Sequence, residues 1–450
     1  MARKIILTLA ITYLLGNMSF VSADNFELPV IGGIDLSAVF GQTCTGIKPG
    51  KVGLFNASLC VLTEGISGEY QEQYKPDRFY ETNRAEELLK QFDEEELKRQ
   101  YGNEYYDKEK STGVFQVDFR GLPIVVSYPY PNDSRLLFAV PSLGIEKTFV
   151  GTSRDDSNQQ LKDYLKKDAN EILKKLTEVS PVDPIPPAQY NQIQDEFNTG
   201  TGNSFEPIDF GADLPGLFGV GFRYEHHNVE GRSITYFTLP LQKSFSLGEG
   251  KELVFRLPLE YREVESAKVY QIIGGLSYKT PVSNKWFLTP SISYGVVGSR
   301  DLASVAQIVS TSLTSEVLLI GGTGSKYSLS MGNLVGYSET LPFRYKDYDL
   351  SVERRNTITR NGILLSMVLP KNFLEMEMIA EVFLVDTRAL GDPLYQDHYN
   401  EIGFAIGPKR LMTRGDKSFV NTSTQLVGLG FRYFHSDVSN GWRFSIGYKF

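Results

Sequence analysis

Cysteine is nearly missing from this chain: its 450 residues contain two, Cys44 and Cys60. With no Cys-x-x-Cys pair, dithiol redox chemistry and thiolate zinc sites have no ligands. After Ala23 there is no long uninterrupted apolar run. That excludes a bundle of membrane helices, each of which needs about 20 apolar residues. Positive charge is not in excess either, since 46 Lys and Arg stand against 54 Asp and Glu, a formal net charge of −8. Nucleic acid is therefore not an expected partner, because phosphate binding needs clustered cations.

Catalytic motifs are also missing. The chain has four histidines, no Gly-x-Ser-x-Gly elbow and no His-Glu-x-x-His helix. His226 and His227 are neighbours in an expected strand, so they face opposite sides, and His435 falls in an expected loop beside Ser436 and Asp437. The glycine-rich Gly321-Gly322-Thr323-Gly324-Ser325 lacks the lysine and the following helix of a P-loop and reads as a turn. No catalytic, metal or cofactor residue is named from the sequence, and no enzyme activity is expected.

What the chain does have is aromatic residues: 25 Tyr and 28 Phe, in a sequence only 22% charged. That composition suits a sheet with one face against an apolar medium. The first residues read as an export signal. Arg3 and Lys4 precede the apolar stretch Ile5 to Leu15, and Val21-Ser22-Ala23 offers a small-residue cleavage site. In an oxidising compartment Cys44 and Cys60 are expected to form one disulfide, a loop closure worth about 3 kcal/mol in the chain-entropy model.

The mature chain divides near a proline cluster. Residues 24–180 are expected to form a soluble mixed α+β domain, residues 181–210 a Pro/Gly-rich linker in which Ser180–Pro187 cannot be helix or central strand and Asn198–Ser204 is flexible by composition, and residues 211–450 a β-domain. Within the front domain, Asp77 to Lys110 is charged and reads as helical. Strands are expected at 114–119, 124–128 and 136–140, and a second helix runs from Asn158 to Glu178 with apolar residues at three- and four-residue intervals.

From Leu217 onward the period is two. Trp442, Phe444, Ile446, Tyr448 and Phe450 alternate with Arg443, Ser445, Gly447 and Lys449. The same alternation covers Leu253–Tyr261, Trp286–Tyr294 and Met376–Leu384. Gly219–Tyr224 and Gly428–Tyr433 are near-repeats. About twelve such segments are counted, centred on Phe222, Phe237, Leu257, Ile273, Ile292, Thr311, Met331, Leu365, Ala380, Phe404, Gly430 and Ile446. Each is about 10 residues, the length that crosses a bilayer at a tilt. Tyr261, Tyr278, Trp286, Tyr294, Tyr433 and Trp442 sit at segment ends, as interfacial girdles do. In lipid no backbone group can go unpaired, so the sheet must close. The expected fold is an all-β transmembrane barrel of about 12 antiparallel strands behind a small α+β domain, located in the bacterial outer membrane with its lipids as partners. If both barrel ends are periplasmic, the tight links at 246–250, 281–284 and 370–372 lie on that side, and the longer 339–348 and 386–398 connections lie outside.

The alternating Trp442, Phe444, Ile446, Tyr448 and terminal Phe450 resemble the C-terminal signature of bacterial outer-membrane proteins. That resemblance implies the barrel-assembly machinery as a partner during biogenesis. About twelve strands after a helix and linker further resemble the translocator domain of autotransporters, although a long repetitive passenger is lacking. Lumen-facing positions are expected at Arg223, Arg256, Glu260, Arg262, Glu375, Glu377, Glu381, Arg432 and Arg443, with charges that either line a channel or knit it shut. The lumen could be plugged by Asn158–Glu178 or by Ala188–Phe197. The leading functional expectation is a pore or binding protein with a periplasmic front domain. Surface display of residues 24–179 comes second and a lipid hydrolase last.

Overall fold

The computed structural model describes residues 30–40, 55–62, 77–82, 99, 110–119, 122–201, 218–265, 267–302, 304–321, 325–345, 348–349, 351–369, 378–408 and 426–449. The export segment, Cys44, Glu375, Glu377 and Phe450 lie outside these residues, so the disulfide pairing does too.

Residues 218–449 form a closed barrel of twelve antiparallel passages. These are β9 (Phe218–Val229), β10 (Arg232–Leu239 with Leu241–Gly248), β11 (Lys251–Arg256 with Leu259–Val264), β12 (Ala267–Ser283), β13 (Trp286–Ser299) and β14 (Ser304–Ile320). The remaining six are β15 (Tyr327–Leu341), β16 (Arg355–Val368), β17 (Met378–Gly391), β18 (His398–Pro408), β19 (Leu426–His435) and β20 (Ser439–Lys449). Every passage pairs with its sequence neighbour, and β20 closes the ring on β9 from Ser439↔Val229 to Lys449↔Gly219. Eleven of the twelve centres expected from sequence fall inside a strand, and the twelfth, Leu257, falls at the break between the two segments of β11. The near-repeats lie in β9 and β19, the two neighbours of β20, so they satisfy the same constraint from opposite sides.

The alternation is inverted relative to a soluble protein. Phe222, Leu384, Phe404, Trp442, Phe444 and Ile446 face outward and are exposed, whereas Arg223, Glu381, Arg432, Arg443 and Ser445 are buried within. Outside, Phe237, Tyr224 and Trp442 form a chain of ring contacts, with centroids 5.1 and 5.3 Å apart. This is an outer-membrane β-barrel: closure leaves no unpaired edge, and the apolar side chains need lipid.

The two-residue links 249–250 and 284–285 share one end of the barrel with its first and last residues. Connections 342–354 and 392–397 lie at the other end, called here the mouth. The expected division into short and long sides does not hold throughout: at the end with the termini the strand ending at Val368 is followed by one starting at Met378 and the strand ending at Pro408 by one starting at Leu426, while the mouth has the two-residue link 230–231.

The front domain is a six-stranded antiparallel sheet in the order β4-β3-β5-β6-β7-β8. Its strands are β3 (Phe55–Leu62), β4 (Asp77–Thr82), β5 (Thr112–Phe119), β6 (Leu122–Tyr128), β7 (Arg135–Val140) and β8 (Ile145–Val150), preceded by the short pair β1 (Val30–Ile31) and β2 (Ile34–Asp35) and helix α1 (Leu36–Phe40). Asp77–Thr82 corrects the start of the helix expected over Asp77–Lys110, most of whose remainder lies outside the described residues. The β-forming residues Phe79, Tyr80 and Thr82 pair with β3 as an edge strand, because a neighbouring ladder outweighs a weak helical stripe. Helix α2 (Arg154–Val179) covers one sheet face through Leu161, Tyr164 and Ile172 against Phe138, Val140 and Ile145. Ser153 caps it, its hydroxyl accepting from the Asp156 amide at 3.3 Å. Arg154 binds it to the sheet, donating to the carbonyls of Ser111, Tyr130 and Asp133.

The expected linker holds a further helix, α3 (Ile185–Gly200). The proline argument against helix fails here because Pro186 and Pro187 sit in the first turn, where backbone N–H groups have no acceptor within the helix. Asp183 supplies the missing cap, accepting from the Ile185 amide at 2.9 Å. Asn198–Gly200, expected to be flexible, is the last turn.

Candidate functional site: a helix held in the barrel lumen

Helix α3 runs down the inside of the barrel. Fourteen of its sixteen residues are buried, including Gln189, Gln192, Gln194, Asp195, Glu196, Asn198 and Thr199. A helix this polar cannot be buried in an apolar core without large desolvation costs. It is stable here because the wall is polar too.

Contacts follow the helix from the mouth to the opposite end. At the mouth, Arg262 Nη1 donates to the Pro184 carbonyl at 3.3 Å and Gln271 Nε2 to the Ala188 carbonyl at 3.0 Å. Tyr190 donates to the Gln396 carbonyl at 2.8 Å, and Asn191 Nδ2 to Glu260 Oε2 at 2.6 Å. Midway, Arg223 Nη1 meets Asp195 Oδ1 at 2.9 Å, and Glu196 Oε1 accepts from Ser293 and Ser310 at 2.5 and 2.7 Å. At the end of the helix, Thr289 Oγ1 donates to the Gly200 carbonyl at 3.4 Å. One side is apolar, with Tyr190, Ile193 and Phe197 packing on Leu334, Ile358, Phe383 and Tyr399. Arg360 lies over the Phe197 ring at 5.2 Å.

Close approach depends on missing side chains in the wall. A Cβ on Gly336 would stand 2.6 Å from Ile193 Cδ1, and one on Gly295 2.7 Å from Gln192 Nε2. A Cβ on Gly200 of the helix would run into the Thr314 side chain. Real Cβ atoms do not approach so closely, so these glycines set the bore to fit the helix.

Around the helix the wall charges are paired. Arg262 meets Glu260 at 2.8 Å, Arg432 meets Glu401 at 2.8 Å and Lys279 meets Glu316 at 3.2 Å. Arg443 contacts Glu225, and Arg360 contacts Glu401. Ser366 donates to Glu381 at 3.1 Å. Of the lumen positions named from sequence, Arg223, Arg256, Glu260, Arg262, Glu381, Arg432 and Arg443 have inward, buried side chains, while Glu375 and Glu377 are outside the described residues. Sequence reading missed Glu225, Lys279, Glu316, Arg360 and Glu401, which obey the same parity. It also missed the polar face of α3, for which no periodic signal exists. His226 points outward beside Trp442 and His227 inward, where its Nε2 lies 2.7 Å from Glu225 Oε1. The two share no ligand.

The front domain sits on the mouth. Val117, Phe115 and Ile124 of the sheet join Val182 and Ile185 in one cluster with the rim residues Val229, Ile234, Val264, Leu302 and Val352. Lys174 reaches Asp392 at 3.2 Å, and Arg354 donates to Thr177 and to the Pro393 carbonyl. Asp392 loses some solvation, yet the Arg355 amide and the Lys174 ammonium hold its carboxyl below the usual aspartate range. Of the two expected plugs, Ala188–Phe197 lies within the lumen helix and Asn158–Glu178 lies on the front sheet.

No protein-family profile and no curated protein matches this chain. Among solved structures, the translocator domain of the autotransporter NalP from Neisseria meningitidis is similar, with 13% identity, TM-score 0.42, and coverage of 61% of this chain and 99% of that one. The β domain of the Bordetella autotransporter BrkA gives 12% identity and TM-score 0.38 over 53% of this chain and 99% of that one. The KdgM porin gives 12% identity and TM-score 0.30 over 52% and 99%. Translocators and a porin alike stand at this level, so the choice between transport and display rests on the chain's own geometry.

Proposed function

We propose that this chain is a plugged outer-membrane display protein: the barrel anchors the front domain at the cell surface, and α3 is the strand of connection through the lumen. One observation carries the reading. The chain leaves the front domain at the mouth, descends as α3, and enters β9 at the opposite end. In this reading the end that holds the first and last barrel residues faces the periplasm; link length does not select it, because two-residue links occur at both ends, 249–250 and 284–285 there and 230–231 at the mouth. The front domain is then outside, contrary to the periplasmic placement favoured by sequence alone. An open solute pore fits poorly, since the helix and the paired lumen charges fill the bore.

Protease treatment of intact cells tests the proposal. The expected result is cleavage of the front domain with the barrel retained as a heat-modifiable band on gels. Protection in intact cells, followed by cleavage once the outer membrane is opened, would place the domain in the periplasm and end the display reading.

A further inference from the structure

The front domain and the plug meet at one short loop of the mouth. Residues 392–397 join β17 to β18. The ends of the loop are tied to strands, the Asp392 amide donating to the Arg355 carbonyl at 3.1 Å and the Ala389 amide to the Asp397 carbonyl at 2.7 Å. Between those ties its residues engage the two partners in turn. Asp392 holds Lys174 of α2 at 3.2 Å. The Pro393 carbonyl accepts from Arg354, which also donates to Thr177 of α2. Leu394 packs on the cluster that contains Tyr190, Ile193 and Phe197 of α3. Tyr395 packs on the cluster that seals the front domain to the rim, with Val117, Val182 and Ile185. The Gln396 carbonyl accepts from the Tyr190 hydroxyl at 2.8 Å, and its side-chain oxygen accepts from Ser439 at 3.0 Å.

The carbonyls of Pro393 and Gln396 thus bond to Arg354 and to Tyr190, so the loop is held from both sides at once. The Tyr190 ring is buried beside Tyr399, with centroids 5.4 Å apart. For α3 to leave its place, Tyr190 has to break from Gln396 and Leu394, or the loop has to lift with it. Lifting gives up the contacts of Asp392, Pro393 and Tyr395 as well. The hold on α2 is made of modest bonds: the Lys174 and Asp392 side chains are part-exposed, where water competes with the ion pair. Such a loop is firm only while both partners are in place.

We propose that residues 392–397 are a latch that couples the front domain to the plug: α3 stays docked while α2 holds the loop down, and withdrawal of α2 from the loop frees α3. Coupling of this kind is reciprocal. The factor by which losing the α2 contact favours release of the plug is the factor by which losing the plug contact favours release of α2. The chain itself also joins the two through Ser180–Pro184, between the end of α2 and the start of α3. That connection is untouched by changes at Lys174 or Tyr190, which separates the two routes. The latch acts whichever side of the membrane holds the front domain.

The test is single-channel conductance of the folded full chain in planar bilayers. Lys174→Met removes the ion pair to Asp392 from α2, outside the lumen. The expected result is an increase in open time of about threefold, the size of a part-exposed ion pair. In a Tyr190→Ala background, where the plug no longer grips the loop, Lys174→Met should add nothing further. Tyr190→Phe, which removes the hydroxyl bond and keeps the ring, takes its place should Tyr190→Ala fail to give the folded, heat-modifiable form. In that background the effect of Lys174→Met should shrink. Equal open times for wild type and Lys174→Met overturn the proposal. So does the same increase with and without the Tyr190 substitution, which assigns the coupling to the covalent connection instead.

Discussion

Removing the Arg223 guanidinium is the sharpest perturbation of the plug. Asp195 Oδ1 accepts from Arg223 Nη1 at 2.9 Å, and the two side chains are 10% and 7% exposed. Arg223→Ala leaves the Asp195 carboxylate in the lumen without this partner. Breaking one side of a buried ion pair costs about 3–5 kcal/mol. The lower end applies here, because an emptied arginine site admits water. At about 1.4 kcal/mol per decade, a loss of about 3 kcal/mol raises the ratio of undocked to docked α3 roughly a hundredfold. The assay is single-channel conductance of the folded full chain in planar bilayers, where undocking appears as bursts of open-pore current. Arg223→Ala should increase open time by about that factor. Asp195→Asn in the same background should recover much of the closed state, since the unpaired charge is then gone. A variant as silent as the wild type, with its barrel folded by gel shift, refutes the idea that this pair holds the plug. So would additive effects of the two substitutions, which deny that the residues act on each other.

Gly336→Val should also loosen the plug, by about 1–3 kcal/mol of overpacking against Ile193, and Ile193→Ala should relieve it in the same conductance assay. Val117→Asp places a charge in the cluster sealing the front domain to the mouth. The domain should then be cut by protease faster in detergent-solubilised protein, with the barrel unchanged. The Asp392 carboxyl is depressed in the folded state, so its contribution is fully present above its unfolded pKa and is lost as pH falls through the lower folded value. Docking of α2 should therefore be constant near neutrality and weaken only at acid pH, followed as protease release. Asp392→Asn should weaken it already at pH 7 and flatten that acid step.

Much of the barrel was legible because its signal is local and periodic. Trp442, Phe444 and Ile446 must face the opposite way from Arg443 and Ser445 whatever their neighbours, since successive strand residues point to opposite faces. The same parity puts Glu401 and Arg360 on the inner face. It could not yield their pairing, because residues 41 apart in sequence meet only once β16, β17 and β18 are paired in register. The Pro181–Pro187 cluster misled for a related reason: proline forbids a helix interior, and only the cap from Asp183 and the fold around it made this the first turn of one.

From its side chains alone the chain determined a sheet with grease on one face and charge on the other, in segments long enough to cross a bilayer. That follows from the period of a strand, and no tertiary contact can alter it. Only the tertiary structure decided what occupies the interior. Gln192, Asp195 and Glu196 look like any solvated helix until Ser293, Ser310 and Arg223 are brought around them. Their burial depends on partners 28 to 116 residues away, and such distances are set by closure of the barrel.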